Sequence, residues 1–216
     1  MEKFTPTTTA IEAYNSKGEP IYLEKVPAVM DCSGKIYVDA ADVAKAELEQ
    51  IASKRGLEPR DIALLAILRA KPGIFKDGEV YCKYNLNKML FYQWQNMEKE
   101  YGLGEAFPHD SFRPGAKGPI PNSLWEDLRR LEHYQLLSLN YCKWGKNKVD
   151  ASLSTKLTEK GHTLADEILE QVPKELIIVS QKTKEDIFPL DPETVMKKVH
   201  KEFPEYAVNY SEADKE

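Results

Sequence analysis

The sequence predicts an α+β fold that is mainly helical, and three observations lead there. Apolar residues recur at helical spacing in successive segments that open on Asp, Ser or Pro and close on Gly or Pro. Short β-prone runs stand in pairs around Gly-containing turns, once near residues 11 to 38 and again near residues 138 to 158. The chain has 216 residues, long enough to bury a sizeable core without disulfide staples.

The elements follow in order. IEAY, PIYL and KIYV, separated by NSKG and CSG, predict a small hairpin or meander over residues 11 to 38. Asp39 or Asp42 can cap a helix that ends at Gly56, with Val43, Leu48 and Ile51 giving a partial apolar stripe. Pro59 opens a second helix that Pro72-Gly73 stops; Ile62, Leu64, Leu65, Ile67 and Leu68 make it apolar over much of its circumference, so it belongs at the centre of the core. DGEVYCKY reads as a short strand. In NLNKMLFYQWQNMEKEYG, Leu86, Met89, Leu90, Gln93 and Met97 recur at helical spacing.

Residues 102 to 121 form a long Gly- and Pro-rich connection. The next helix begins at Ser123, where S-x-x-E with Glu126 predicts a capping box, and buries Leu124, Leu128 and Leu131. SLNYCKW, a GKNK turn and VDASLSTKLT predict a hairpin, and TEKGHTLADEILEQV a further helix. Past Pro173, ELIIVS reads as an extra strand, and Asp191-Pro192 opens a last helix. The resulting division is an N-terminal β region plus helix over residues 1-56, a central domain over 57-172 and an acidic extension over 173-216.

Helix, short strand, helix, helix, two-stranded hairpin is the order of a winged helix, a helix-turn-helix variant in which the third helix can enter the major groove while the hairpin meets the backbone. Leu86 to Tyr92, Gly118-Pro119, Leu124 to Leu137 and the Leu157-Thr158-Glu159-Lys160-Gly161 helix entry carry a resemblance to prokaryotic winged-helix proteins. The first two pieces resemble Panacea-type antitoxin domains, and the last resembles PadR-like and MarR-like regulators. The resemblance covers about residues 60 to 171 and implies a DNA-binding or protein-binding module. The connection between the second and third helices is longer than in a tight helix-turn-helix, and the N-terminal β region and acidic C-terminal region lie outside the match.

The formal net charge is -5, but its distribution is uneven. Residues 111 to 162 carry nine Lys or Arg against five Asp or Glu, a basic island in an acidic chain. Candidate DNA contacts are Asn122 and Ser123 at the helix start, Arg129 and Arg130 on its outer face, and Lys143, Lys146 and Lys148 on the hairpin, extended by Arg113 and Lys117. Glu126 and Asp127 in the first turn favour the helix dipole and repel phosphate. Arg129 and Arg130 can equally pair with Glu126 and Glu132, and a lysine-rich hairpin is most often a solvated face.

Several functions are disfavoured. No apolar run approaches bilayer length and MEKFTPTTTA lacks a secretory stretch, so a cytoplasmic, non-membrane protein is expected. Cys32, Cys82 and Cys142 are odd in number and far apart, and the histidines make no metal-ligand spacing. No nucleophile motif or phosphate-cradling loop occurs, so no cofactor, metal site or enzymatic activity is expected. The expected partners are double-stranded DNA and a second copy of the chain, with transcription regulation as the role; the alternative is a protein-interaction module of phage-defence or toxin-antitoxin type.

Overall fold

The computed structural model describes residues 5–14, 20–70, 81–104, 112–115, 118–144 and 150–206. Among them the chain is α+β and mainly helical, with small antiparallel sheets. Strands β1 (Thr5–Tyr14), β2 (Pro20–Met30) and β3 (Ile36–Tyr37) form the expected meander, with β2 central. β2 buries Leu23, Val26 and Ala28, whereas β1 buries none of its described side chains. The register slips between Thr9 and Ile11, opposite Lys25 at φ +58°. This is a bulge that twists the ribbon.

Helix α1 (Ala40–Ser53) starts where Asp39 accepts the Ala41 N–H at 2.8 Å, and it presents Ala44, Leu48, Ile51 and Ala52 to the core. Helix α2 (Pro59–Arg69) is buried on all sides from Asp61 to Leu68. That placement suits its sequence, because an all-apolar helix has no face to give to water. Its first turn is held by a reciprocal box between Glu58 and Asp61. At its other end the buried Lys184 ammonium donates to the carbonyls of Leu68 and Ala70, a cation on the negative end of the helix.

β4 (Tyr81–Cys82) leads into α3 (Lys83–Tyr101), and the rest of the DGEVYCKY run before Tyr81 lies outside the described residues. The 102 to 121 connection is not wholly irregular: β5 (Phe112–Arg113) and β6 (Ile120–Pro121) pair as a short ribbon, with Phe112 stacked on Trp94. After α4 (Leu124–His133), β7 (Leu137–Trp144) and β8 (Asp150–Leu157) pair from Leu137↔Leu157 to Trp144↔Asp150. β4 adds to β8, so the sheet runs β4-β8-β7. α5 (Glu159–Leu169) begins at Thr158, whose hydroxyl accepts the Gly161 N–H. A Cβ on Gly161 would stand 2.0 Å from the Leu136 carbonyl oxygen. The glycine of the LTEKG entry is therefore required by the approach of α5 to the end of α4.

The expected strand ELIIVS is instead the first half of a helix, α6 (Lys174–Ile187). Its run of β-prone residues was too short to fix a period. In three dimensions Leu176, Val179, Thr183 and Ile187 form one buried face packed on α2 and α3, and tertiary contact overrides local preference. α7 (Pro192–Glu202) follows, capped by Asp191, and a 3₁₀ turn at Pro204–Tyr206 closes the described chain. One hydrophobic cluster runs from Leu48 and Ile51 through α2, α3 and α4 to Val179, Val195 and Val199, continuous across positions 56 and 172.

Candidate nucleic-acid interface

The surface proposed from sequence is built on α4 and the hairpin after it. The entry to α4 is fixed from below. Lys88 on α3, 1% exposed, donates from Nζ to the Pro119 carbonyl at 2.8 Å. Burial pulls that ammonium down to about 7. Gly118 has φ +89°, and a Cβ there would meet Val199 at 3.0 Å and the Lys88 Nζ at 3.2 Å. The Gly-Pro segment is thus a packed joint between α3, α7 and the start of α4.

α4 is strongly amphipathic. Leu124, Leu128 and Leu131 are buried, and Leu136 and Leu137 close the apolar face as expected. The helix ends as Gln135 turns left-handed at φ +62° and the Leu136 N–H returns to the Leu131 carbonyl. The start differs from expectation. Ser123 makes no capping bond, its backbone at φ −103°, ψ −3° lacks the extended shape a cap needs, and its hydroxyl donates to Asp127 Oδ2 at 3.0 Å. Glu126 stays exposed.

Arg130, expected on the outer face, and Asp127, expected to repel phosphate from the first turn, both point inward. Asp127 is 5% exposed, so it does not face an approaching phosphate. Arg130 forms a two-pronged bond to Asp61 on α2, Nε to Oδ2 at 3.0 Å and Nη2 to Oδ1 at 2.8 Å, and Nη2 also reaches Asp127 Oδ1 at 2.6 Å. Arg60 Nε meets the same Asp127 oxygen at 2.7 Å. The bond to Asp61 holds the Arg130 proton more tightly than usual. Burial pushes the Asp127 carboxyl up against the pull of both guanidinium groups, and contacts this short fit its ionised form. Asp61 is fully buried, and a buried carboxylate demands such partners. Arg130 is a structural clamp between α2 and α4.

Arg129 remains exposed, its guanidinium 4.6 Å from the Trp125 ring centre. Asn122 is exposed just ahead of the helix, and Arg113 is exposed on β5, paired with Ile120 two positions before Asn122. Glu132 accepts the Leu139 N–H, and His133 is exposed. On the hairpin side, Lys156 is exposed and Lys160 donates to the Tyr134 carbonyl at 2.9 Å. Lys143 lies on β7; Lys117, Lys146 and Lys148 lie outside the described residues. The geometry therefore leaves Arg129 exposed on α4, Asn122 exposed just ahead of it and Arg113 exposed on β5, and it commits Arg130 and Ser123 to inward partners.

Sequence reasoning missed Arg60, Asp61 and Lys88. The available signal was a charged pair opening an otherwise apolar helix, and a lysine inside the apolar LNKMLFY run. Among the described residues no cluster of His, Cys, Asp and Glu could hold a metal ion, and no helix is long and apolar enough to cross a membrane. In comparisons with known proteins, no family model matches the chain and no curated protein is significantly similar to it.

Proposed function

We propose that this is a cytoplasmic winged-helix protein that binds double-stranded DNA, as a transcription regulator of dimeric form. The observation that carries the reading is the strand order β4-β8-β7 combined with the chain order α2, β4, α3, α4, β7, β8. That arrangement puts a hairpin wing directly after a third helix, as winged helices do. In this reading the wing, through Lys143, Lys146 and Lys148, neutralises phosphates. Arg113, Asn122 and Arg129 add backbone contacts beside it, and α4 reads few base edges because Arg130 is committed to Asp61.

The test is binding of a random duplex at two salt concentrations, read by fluorescence anisotropy. Removing three phosphate contacts with Lys143→Glu, Lys146→Glu and Lys148→Glu should abolish binding at moderate salt, since each contact contributes about 0.9 to the slope of log K against log salt. A chain that ignores duplex DNA at low salt refutes the reading.

One observation favours a second reading, a protein-interaction module. The exposed side of α4 carries Glu126 and Glu132 against Arg129, a balance that suits a protein surface better than a phosphate backbone.

A further inference from the structure

We propose that the free edge of β1 is a self-association site, at which two copies of the chain join their meanders into one continuous antiparallel sheet. The inference is independent of whether DNA is bound.

β1 is ten residues long and sits at the outside of the β1-β2-β3 order, so among the described residues one side of its backbone pairs with no strand. Natural edges are blunted by lysines, inward charges or short length. TPTTTAIEAY has no lysine and is not short; Glu12 is its one charge, and what blunts this edge is Pro6 and the bulge opposite Lys25. None of its described side chains is buried, so the strand stands proud of the core and leaves room for a copy to approach.

The chemistry of the edge can be read residue by residue. Thr8 lies opposite Pro27, which cannot donate across the pair. The Thr8 N–H and C=O therefore turn to the open side, and by the alternation of an antiparallel strand so do those of Ala10. Two side-chain bonds agree: the Thr7 hydroxyl donates to the Thr8 carbonyl at 3.5 Å and the Thr9 hydroxyl to the Ala10 carbonyl at 3.3 Å. These are long, exposed contacts on the carbonyls that lack a strand, and they are readily exchanged for backbone donors.

A second copy fits this edge because β1 is complementary to itself. A two-fold axis through Thr9 sets Thr8 opposite the partner copy's Ala10, Thr7 opposite Ile11 and Pro6 opposite Glu12. The Thr8 and Ala10 groups of the two copies make about four ladder hydrogen bonds in that register. Thr-Thr and Thr-Ile pairs suit a half-exposed sheet. The two Glu12 carboxylates stand about 20 Å apart along the strands, well beyond the screening length at physiological salt. No like charges oppose each other, and the contact is isologous and closes at two copies.

The experiment is sedimentation equilibrium of the full chain, with circular dichroism to confirm folding. Wild type should be a dimer. Thr8→Glu with Ala10→Glu brings four carboxylates together across the axis and should weaken the dimer at least about a hundredfold with unchanged helix signal. Thr8→Lys with Ala10→Glu sets opposite charges face to face and should restore it. A wild type monomeric throughout the concentration range overturns the proposal and leaves the edge to a strand from another protein. A dimer that survives the double glutamate variant overturns it equally, because its interface must then lie elsewhere.

Discussion

Replacing Arg130 with Ala separates a structural arginine from a DNA-reading one. The substitution leaves Asp61, with no exposed surface, without its two-pronged partner, while Asp127 keeps Arg60 at 2.7 Å. Removing one member of a buried ion pair costs about 3–5 kcal/mol. The Arg130 side chain is 23% exposed, so water can partly reach the vacated site and the lower end, about 3 kcal/mol, is expected. For a chain of this length that corresponds to a fall in melting temperature of roughly 6–12 °C. Urea unfolding at pH 7, followed by far-UV circular dichroism, measures it.

Arg129→Ala is the matched control, since it removes an exposed guanidinium whose contact is the Trp125 face and should change stability by less than about 1 kcal/mol. Duplex affinity of the folded Arg130→Ala protein should stay within about twofold of wild type, because no phosphate contact has been lost. A double-mutant cycle with Asp61→Asn should return a coupling of roughly 2 kcal/mol or more. The reasoning fails if Arg130→Ala loses DNA binding while its unfolding curve is unmoved.

Three further outcomes are expected. Gly161→Ala should lower stability by more than about 3 kcal/mol in urea unfolding, since the new methyl meets the Leu136 carbonyl oxygen at 2.0 Å; a change below about 1 kcal/mol would show that α5 can back away freely. Glu47 is 5% exposed on α1, and burial, with repulsion from Glu175, pushes its carboxyl up to about 7. The folded state then holds a proton that the unfolded chain releases above its ordinary value, so stability falls as pH rises from about 4.5 to 7; Glu47→Gln should gain about 2–3 kcal/mol over wild type at pH 8 and nothing at pH 4.5, and equal gains at both refute it. Lys88 runs the opposite way, since the unfolded chain keeps the proton that the folded state gives up above about 7. Wild type should therefore gain about 3–4 kcal/mol on Lys88→Met between pH 7 and 10, against a difference that stays flat with pH if the ammonium is solvated.

What the sequence revealed and what it hid divide along a physical line. Helices α1 to α5 and α7 were legible because each carries its own signals: Asp39 and Asp191 as caps, Pro59 and Pro192 at first turns, and leucines at helical spacing. α6 was not, because ELIIVS has an apolar run without a period and its identity is set by packing on α2 and α3. The candidate surface was half legible for the same reason. An arginine three residues after an aspartate reads as exposed helix decoration, and nothing local says that Asp61, more than sixty positions away, will claim it. The Ser123 cap failed likewise, since Asp127 turned inward and drew the hydroxyl with it.

The ionic clamp changes what the basic island means. α2 is buried from its first turn, so Asp61 needs a cation inside the protein, and α4 is the element that lies against it. One positive charge counted as surface in residues 111 to 162 is thereby neutralised by the core, and Lys160 bonds the Tyr134 carbonyl at the end of α4. Among the described residues, the exposed cations on α4, on β5 and at the base of the hairpin are then Arg113, Arg129, Lys156 and Lys160, too few for firm duplex binding by one copy without the remaining lysines of residues 143 to 148. Two copies double the contacts, and if they join through β1 the separation of their α4 helices is set by a rigid sheet. A footprint on a bound duplex should then show two protected segments at one fixed spacing. A spacing near 34–36 Å, one turn of DNA, would tie the sheet edge to the wing, whereas a single protected segment would mean that the two surfaces serve different partners.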